Sequence, residues 1–191
     1  MTERYDFETV KKSETDPAVV RKGEWIVLMY SMSTNGGTYI EYPPVPAFYK
    51  IVKFFYPNGN LKSMGKVTGQ NLKFGMWQYY DEKGDFFKEE DENKKFGKIK
   101  VDDILKFLEK EGLINLTSGE GREFPIVKEN KYVGIEECRF SLSFVNDNEG
   151  TYWNVFFISS SWNNNNHIIY HIDINTGEVL SKKIIHSPIE I

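Results

Sequence analysis

The chain has one cysteine, Cys138, in 191 residues. A single thiol cannot close an internal disulfide and has no partner for a thiolate metal site; its expected role is a buried, inert core hydrophobe. Histidine is almost as scarce, at three. His167 and His171 stand four apart in a stretch that reads as a strand, and at ~3.3 Å per residue that separation is too long for one ion. No HExxH spacing accompanies them and His186 stands alone, so no metal site is expected. Long apolar runs are also missing: nothing approaches the ~18 residues of a spanning helix. The opening MTERYDFETVKKSETD holds no apolar stretch of the signal-peptide kind, so the chain reads as soluble and cytoplasmic. A net charge of −4 gives no field that argues for nucleic acid or membrane as a partner.

Catalytic templates are absent as well. Ser159, Ser160 and Ser161 lack the Gly-x-Ser-x-Gly elbow that exposes a nucleophile. Gly112, Gly119 and Gly121 do not lead from a strand into a helix, the arrangement that cradles phosphate. Carboxylates are plentiful, but no spacing singles out a general acid and base. The expectation is a protein without enzymatic activity and without a cofactor.

What the chain does have is aromatic side chains, 15% of residues, within an apolar content of 40%, which suits a folded domain rather than a disordered one. Many lie in an internal repeat across residues 52–97. Val52-Lys-Phe-Phe-Tyr-Pro-Asn-Gly59 recurs as Trp77-Gln-Tyr-Tyr-Asp-Glu-Lys-Gly84, with the glycines 25 apart, and Lys73-Phe74-Gly75 recurs as Lys95-Phe96-Gly97 at a spacing of 22. A fixed period of this size means one supersecondary unit used more than once. Each unit reads as an aromatic strand, a glycine turn and a returning strand.

Residues 1–23 read as a loose lead-in with a short helix at most. Strands are expected at 24–30 and 38–42 around Asn35-Gly36-Gly37, the second stopped by Pro43, Pro44 and Pro46, which cannot donate to a ladder. Strands at 49–56, 61–68, 76–80 and 86–90 follow, with turns at 57–60, 69–71 and 83–85. Val101, Ile104, Leu105 and Leu108 form one stripe at helical spacing, which predicts a helix over 101–113. Asp102 and Asp103 are its candidate N-caps and Gly112 its C-terminal glycine. After a polar loop at 115–123, strands are expected at 132–145, 151–160, 167–174 and 178–186, with turns at 146–150 and 173–177 and a polar connection at 162–166. The fold class is therefore α+β, mainly antiparallel: a β-rich region of hairpins over 1–98, then one helix packed on a β-meander over 99–191.

Phe55-Tyr-Pro-Asn-Gly-Asn-Leu-Lys62, then Gly69, then Phe74-Gly-Met-Trp-Gln-Tyr-Tyr-Asp-Glu-Lys-Gly84 resembles the bacterial variant of the MORN repeat. The resemblance covers about a quarter of the chain and barely two copies. It implies MORN-like β-hairpins and an antitoxin-like or immunity-like role, and it has no catalytic residues to carry over. Further on, Ile168-Ile-Tyr-His-Ile-Asp173 leading into Asn175-Thr-Gly-Glu-Val-Leu180 is similar to the PepSY-like layout, in which such a turn closes a meander against a helix. That similarity implies an envelope scaffold or ligand-binding module.

Charge is polarised beside the repeat. Residues 46–80 hold Lys50, Lys53, Lys62, Lys66 and Lys73 and no acid, whereas 81–92 hold seven acids: Asp81, Glu82, Asp85, Glu89, Glu90, Asp91 and Glu92. Two readings stand side by side: a solvated rim neutralised by a neighbouring basic sheet face, or a docking edge for a basic protein. Trp77, Tyr79 and Tyr80, with Phe86 and Phe87, are candidate aromatic anchors for that edge. Lysines interleaved with aromatics also occur in RNA binders, but the acidic block opposes that use. The function expected is that of a bacterial immunity protein occluding a cognate toxin, such as a basic nuclease, with the contact at 77–92.

Overall fold

Trp25-Ile-Val-Leu-Met-Tyr30 is apolar at nearly every position, a pattern that fits a strand covered on both faces. In the computed structural model, which describes residues 3–32, 36–148, 150–158 and 166–186, this segment is the second strand of a seven-stranded antiparallel sheet. A short helix α1 (Phe7–Lys12) precedes it. The strands follow in chain order as β1 (Ala18–Lys22), β2 (Trp25–Met32), β3 (Gly36–Tyr42), β4 (Lys50–Phe55), β5 (Leu61–Thr68), β6 (Leu72–Tyr80) and β7 (Phe86–Asp91). A 3₁₀ turn (Glu92–Lys95) leads to α2 (Val101–Lys110) and then to a hairpin of β8 (Phe124–Lys128) and β9 (Lys131–Glu136). Last comes a four-stranded meander of β10 (Phe140–Asp147), β11 (Gly150–Ile158), β12 (Asn166–Asp173) and β13 (Val179–His186). The molecule is thus mainly antiparallel β with helices attached, the α+β class expected.

Both faces of β2 and β3 are covered. On one side Tyr5 and Val10 from the N-terminal segment pack on Ala18, Val27, Met29, Tyr39 and Phe55. On the other, Phe124, Val127, Tyr132 and Ile135 of the β8–β9 hairpin pack on Ile26, Leu28 and Tyr42. The second core joins α2, through Val101, Ile104, Leu105 and Leu108, to Trp153, Val155, Tyr170 and Ile172 of the meander. Phe48, Leu72 and Phe74 from the first sheet pack into that same core.

The 25-residue repeat is reproduced in the backbone bond for bond. Tyr56 N–H donates to Asn60 O and Gly59 N–H to Tyr56 O; 25 residues on, Asp81 N–H donates to Asp85 O and Gly84 N–H to Asp81 O. The ladder also slips at equivalent steps. Phe54 faces Ser63 and Phe55 faces Leu61, as Tyr79 faces Lys88 and Tyr80 faces Phe86. Gly59 and Gly84 close their turns at φ 84° and 91°, where a side chain would be strained. The two turns touch: the amides of Asn58 and Asn60 both donate to Glu82 O, at 2.7 and 2.8 Å, and Tyr56 OH donates to Tyr80 O.

Several expectations need correcting. The lead-in is not loose: it supplies α1, strand β1 and the Tyr5 plug, all pinned by tertiary contacts that local pattern does not reveal. The Lys-Phe-Gly recurrence is not structural, because 73–75 lie within β6 whereas 95–97 end the 3₁₀ turn, with Phe96 buried against Trp153. The strand expected over 132–145 is two strands. The chain leaves β9 where the Gly121 carbonyl takes both Arg139 N–H and the Cys138 thiol, so no ladder continues through 137–139. Strand β8 was missed. In α2, Lys100 is the N-cap; Asp103 sits inside the first turn and accepts the Lys100 N–H at 3.0 Å, and Asp102 beside it faces solvent. The helix stops at Lys110, where Gly112 N–H meets Glu109 O and Leu113 N–H meets Leu108 O, a Schellman ending. The connection expected at 162–166, apart from the Asn166 backbone, lies outside the described residues, as do Asn35, Glu149, Ser159, Ser160, Ser161 and the side chain of His186.

Candidate functional edge

Among the described residues strand β7 pairs with β6 on one side only, so its other side presents backbone groups with no strand partner. Such an edge can template pairing with another chain. Its side chains are exposed along almost the whole length, including Phe86 at 55% and Phe87 at 63%. The Asp81–Asp85 turn lies at the same end, stacked on the first turn.

The seven acids divide by what holds them. Asp81 Oδ1 accepts the N–H groups of Lys83 and Asp85, and Asp91 Oδ1 caps the 3₁₀ turn by accepting Asn93 N–H. Glu90 pairs with Lys88 at 2.9 Å and Glu92 with Lys95 at 2.6 Å. Glu89 accepts from Gln78 at 3.3 Å. Glu82 and Asp85 have no side-chain partner among the described residues. Hydrogen bonding and charge from Lys88 hold the Glu90 carboxyl below its ordinary value, and Glu90 raises Lys88 in return. Burial, and then the carboxylates of Glu92 and Glu90, raise the Tyr79 phenol.

The aromatic anchors fare differently. Trp77 is a core residue at 1% exposure, not an anchor. Its ring lies flat on Gly65, where a Cβ would come within 2.3 Å of it, and Lys73 Nζ stands 3.9 Å above the ring. Tyr79 and Tyr80 are half-buried: Tyr79 packs on the Val52–Val67–Trp77 cluster and Tyr80 on the core under Tyr5. The side chains that reach solvent beside the acids are Phe86 and Phe87.

The basic sheet face is smaller than expected. Lys50 and Lys53 are each only 8% exposed. Lys50 pairs with Glu123, which also accepts Tyr42 OH, and Lys53 pairs with Glu3 and Glu41. Lys62 and Lys66 lie over the rings of Tyr56 and Tyr49. Of the five lysines, Lys50 and Lys53 are neutralised by carboxylates outside 81–92, and Lys62 and Lys66 stay exposed over their rings. None of the five forms an ion pair with the 81–92 acids, although the charge of Lys73 reaches Glu90. Sequence spacing could not reveal this, since Glu123 lies 73 residues from Lys50.

His167 and His171 stack on Phe156 and Tyr152 on the face of the meander. Among the described residues no group of three or more His, Cys, Asp or Glu could hold a metal ion, and no helix is long and apolar enough to cross a membrane. Cys138 is buried, and burial pushes its thiol up to about 12, so it stays protonated and unreactive at neutral pH. Comparison with known proteins gives no family model, no curated relative and no solved structure that matches the chain.

Proposed function

We propose that this chain is a cytoplasmic, non-enzymatic immunity protein that binds a cognate protein toxin and blocks it by occlusion. The observation that carries the reading is the open β7 edge, where exposed Phe86 and Phe87 sit among the carboxylates of Glu82, Asp85 and Glu89. The resemblance of the two hairpins to MORN-variant repeats of immunity-like proteins points the same way. A toxin that cleaves nucleic acid presents a basic cleft, and a row of carboxylates suits that cleft in sign. Charge complementarity of this kind sets on-rate and partner choice, while buried aromatics supply holding energy. The binding set is therefore Glu82, Asp85, Phe86, Phe87 and Glu89, with Tyr79 and Tyr80 in support; Asp81, Asp91 and Glu92 shape the edge. No cofactor takes part.

A second reading, a PepSY-like scaffold or ligand-binding module, is favoured by one observation. In the Asp173 turn, the Asp173 carboxylate accepts from Asn175 and Thr176 N–H, and the turn closes β12 onto β13 in a sheet packed against α2.

Co-purification with the product of the neighbouring gene tests the first reading. A stoichiometric complex that Glu82→Ser, Asp85→Ser, Glu89→Ser together weaken is expected. Failure of the wild-type chain to retain that product, at low salt where charge is least screened, would sink it.

A further inference from the structure

Three cations are buried in this molecule among the described residues, and only two have carboxylate partners. Lys50 has Glu123, and Lys53 has Glu3 and Glu41. The third, Arg122, is 7% exposed and forms no ion pair. Its Nη1 donates to the carbonyls of Pro43 and Ala47, at 3.2 and 3.1 Å, and its guanidinium stacks 4.3 Å over the Phe124 ring. No acceptor among the described residues takes the Nε or Nη2 hydrogens. Burial lowers the guanidinium's pKa, opposed by the nearby charge of Glu136. A buried charge without a counter-ion is costly, and a guanidinium held rigid with unused donors is built for a bidentate carboxylate.

Arg122 lies on a cleft of about 720 Å³ between the 44–45 loop and the 118–120 loop, a size usual for small-ligand sites. Val45 and Phe124 give it apolar walls; Glu24, Glu120 and Glu136 line it too. Glu120 is engaged by Arg139 at 3.0 Å, whereas Glu24 and Glu136 form no ion pair among the described residues. A simple anion would be drawn to Arg122 and repelled by the glutamates. A ligand carrying a carboxylate and a cation satisfies both.

We propose that this cleft binds the carboxylate of a basic residue. The carboxylate sits on Arg122, the side-chain cation faces Glu24 and Glu136, and the aliphatic stem lies along Val45 and Phe124. This chemistry belongs equally to a free basic amino acid and to a peptide ending in Arg or Lys. The site is separate from the β7 edge and does not depend on the immunity reading.

Isothermal titration calorimetry at low salt with Gly-Gly-Arg, its C-terminal amide, Gly-Gly-norleucine and L-arginine tests it. Saturable binding of Gly-Gly-Arg is expected, with the amide weaker by about tenfold or more, as suits loss of a charge-assisted bidentate pair. Binding of L-arginine as tight as the tripeptide assigns a free amino acid; binding about tenfold weaker assigns a peptide terminus. Arg122→Gln should abolish binding, but its Nη1 also ties down the 43–47 loop. The double variant Glu24→Gln, Glu136→Gln leaves that tie intact; it should weaken Gly-Gly-Arg severalfold, while Gly-Gly-norleucine, relieved of the glutamates' repulsion, should bind no more weakly than to wild type. No saturable signal with Gly-Gly-Arg at millimolar concentration, an amide that binds as well as the acid, or a double variant that binds Gly-Gly-Arg like wild type would each overturn the proposal.

Discussion

The hairpins β4–β5 and β6–β7 share turn hydrogen bonds, ladder slip and positive-φ glycine, yet their side chains meet opposite surroundings. Leu61 is buried under Tyr5, while Phe86, at the equivalent place, is more than half exposed. The reason is stacking order. The first turn is covered by the N-terminal segment, through Tyr5 N–H to Gly59 O and Arg4 to Asn58 O, and then by the second turn. The second turn and β7 have the first hairpin on one side, and among the described residues no further strand pairs beyond β7. A repeat sets backbone geometry; position in the stack decides whether a side chain becomes core or surface.

The largest effect should come where the two hairpins share a core. Val52 and Trp77 are equivalent positions and pack in one cluster with Val67. Trp77→Ala removes a fully buried ring and should cost about 3–5 kcal/mol in urea denaturation. Its neighbour Met76, 49% exposed on the opposite side of β6, should tolerate Ala within about 0.5 kcal/mol. Comparable losses at the two positions would mean that the ring is not core.

Next in size is the buried ion cluster, present only beside the first hairpin. Lys53→Met takes from Glu41, itself 7% exposed, its 2.8 Å partner and leaves it only the longer 3.6 Å pair with the more exposed Lys22, and should cost about 3 kcal/mol. The cluster also has a pH signature. Burial would raise the Glu3 carboxyl, but bonding and charge from Lys53, then Lys22, leave it below its ordinary 4.5. Burial would lower Lys53, but Glu3 and Glu41 leave it above its ordinary 10.5. A depressed carboxyl contributes stability above its unfolded pKa that is lost as pH falls through the folded one. A raised lysine contributes stability below its unfolded pKa that is lost as pH rises through the folded one. Wild type should therefore lose stability below about pH 4.5 and above about pH 10.5 relative to Lys53→Met. Parallel pH profiles for the two proteins would refute the coupling.

Much of the hairpin region was legible because its signals are local. Asn-Gly and Lys-Gly turns between aromatic strands specify hairpins directly, and β5 falls on the expected residues 61–68. The apolar stripe of α2 was equally readable, apart from its last three residues. What could not be read was long-range. Strand β1 is held by β2, and β8–β9 by the face of β2 and β3. Lysines 50 and 53 looked like a solvated basic face because their carboxylate partners are distant in sequence or, for Glu41, on the neighbouring strand. In the candidate site, Glu82, Asp85, Glu89 and Glu90 lie exposed on the turn and β7, whereas Asp81, Asp91 and Glu92 are half-buried, and alternation alone could not say that Trp77 faces inward. Arg122 gave no signal, since only the fold shows that it is buried without an ion pair among the described residues.

Replacing the turn glycines sharpens the comparison at smaller scale. Gly59→Ala and Gly84→Ala each force a side chain into left-handed backbone and should cost about 1–2 kcal/mol. Gly59→Ala should be the worse of the two, because its Cβ would come to 3.1 Å of the Phe7 ring, against 3.7 Å to Asn60 at Gly84. Equal costs in thermal denaturation would mean that the N-terminal plug exerts no pressure on the first turn.

The smallest effect on stability, and the largest expected on binding, belongs to the open edge. The side chains of Glu82 and Asp85 have no partner among the described residues and Glu89 only a 3.3 Å bond from an exposed amide, so serine at all three should change stability by less than about 0.5 kcal/mol. Removing three negative charges from a chain of net −4 leaves −1, which weakens the field that draws in a basic partner. Rim charges act mainly on the association rate and its salt dependence. The triple variant should therefore bind a basic partner more slowly at low salt, with a flatter dependence on ionic strength and a nearly unchanged dissociation rate. Phe86→Ala, Phe87→Ala should do the reverse, hastening dissociation while leaving the salt slope alone. The two substitutions separate charge from anchor on one strand. If stopped-flow binding shows neither signature, the partner does not use β7, and its exposed acids serve only to keep the edge from pairing with another copy.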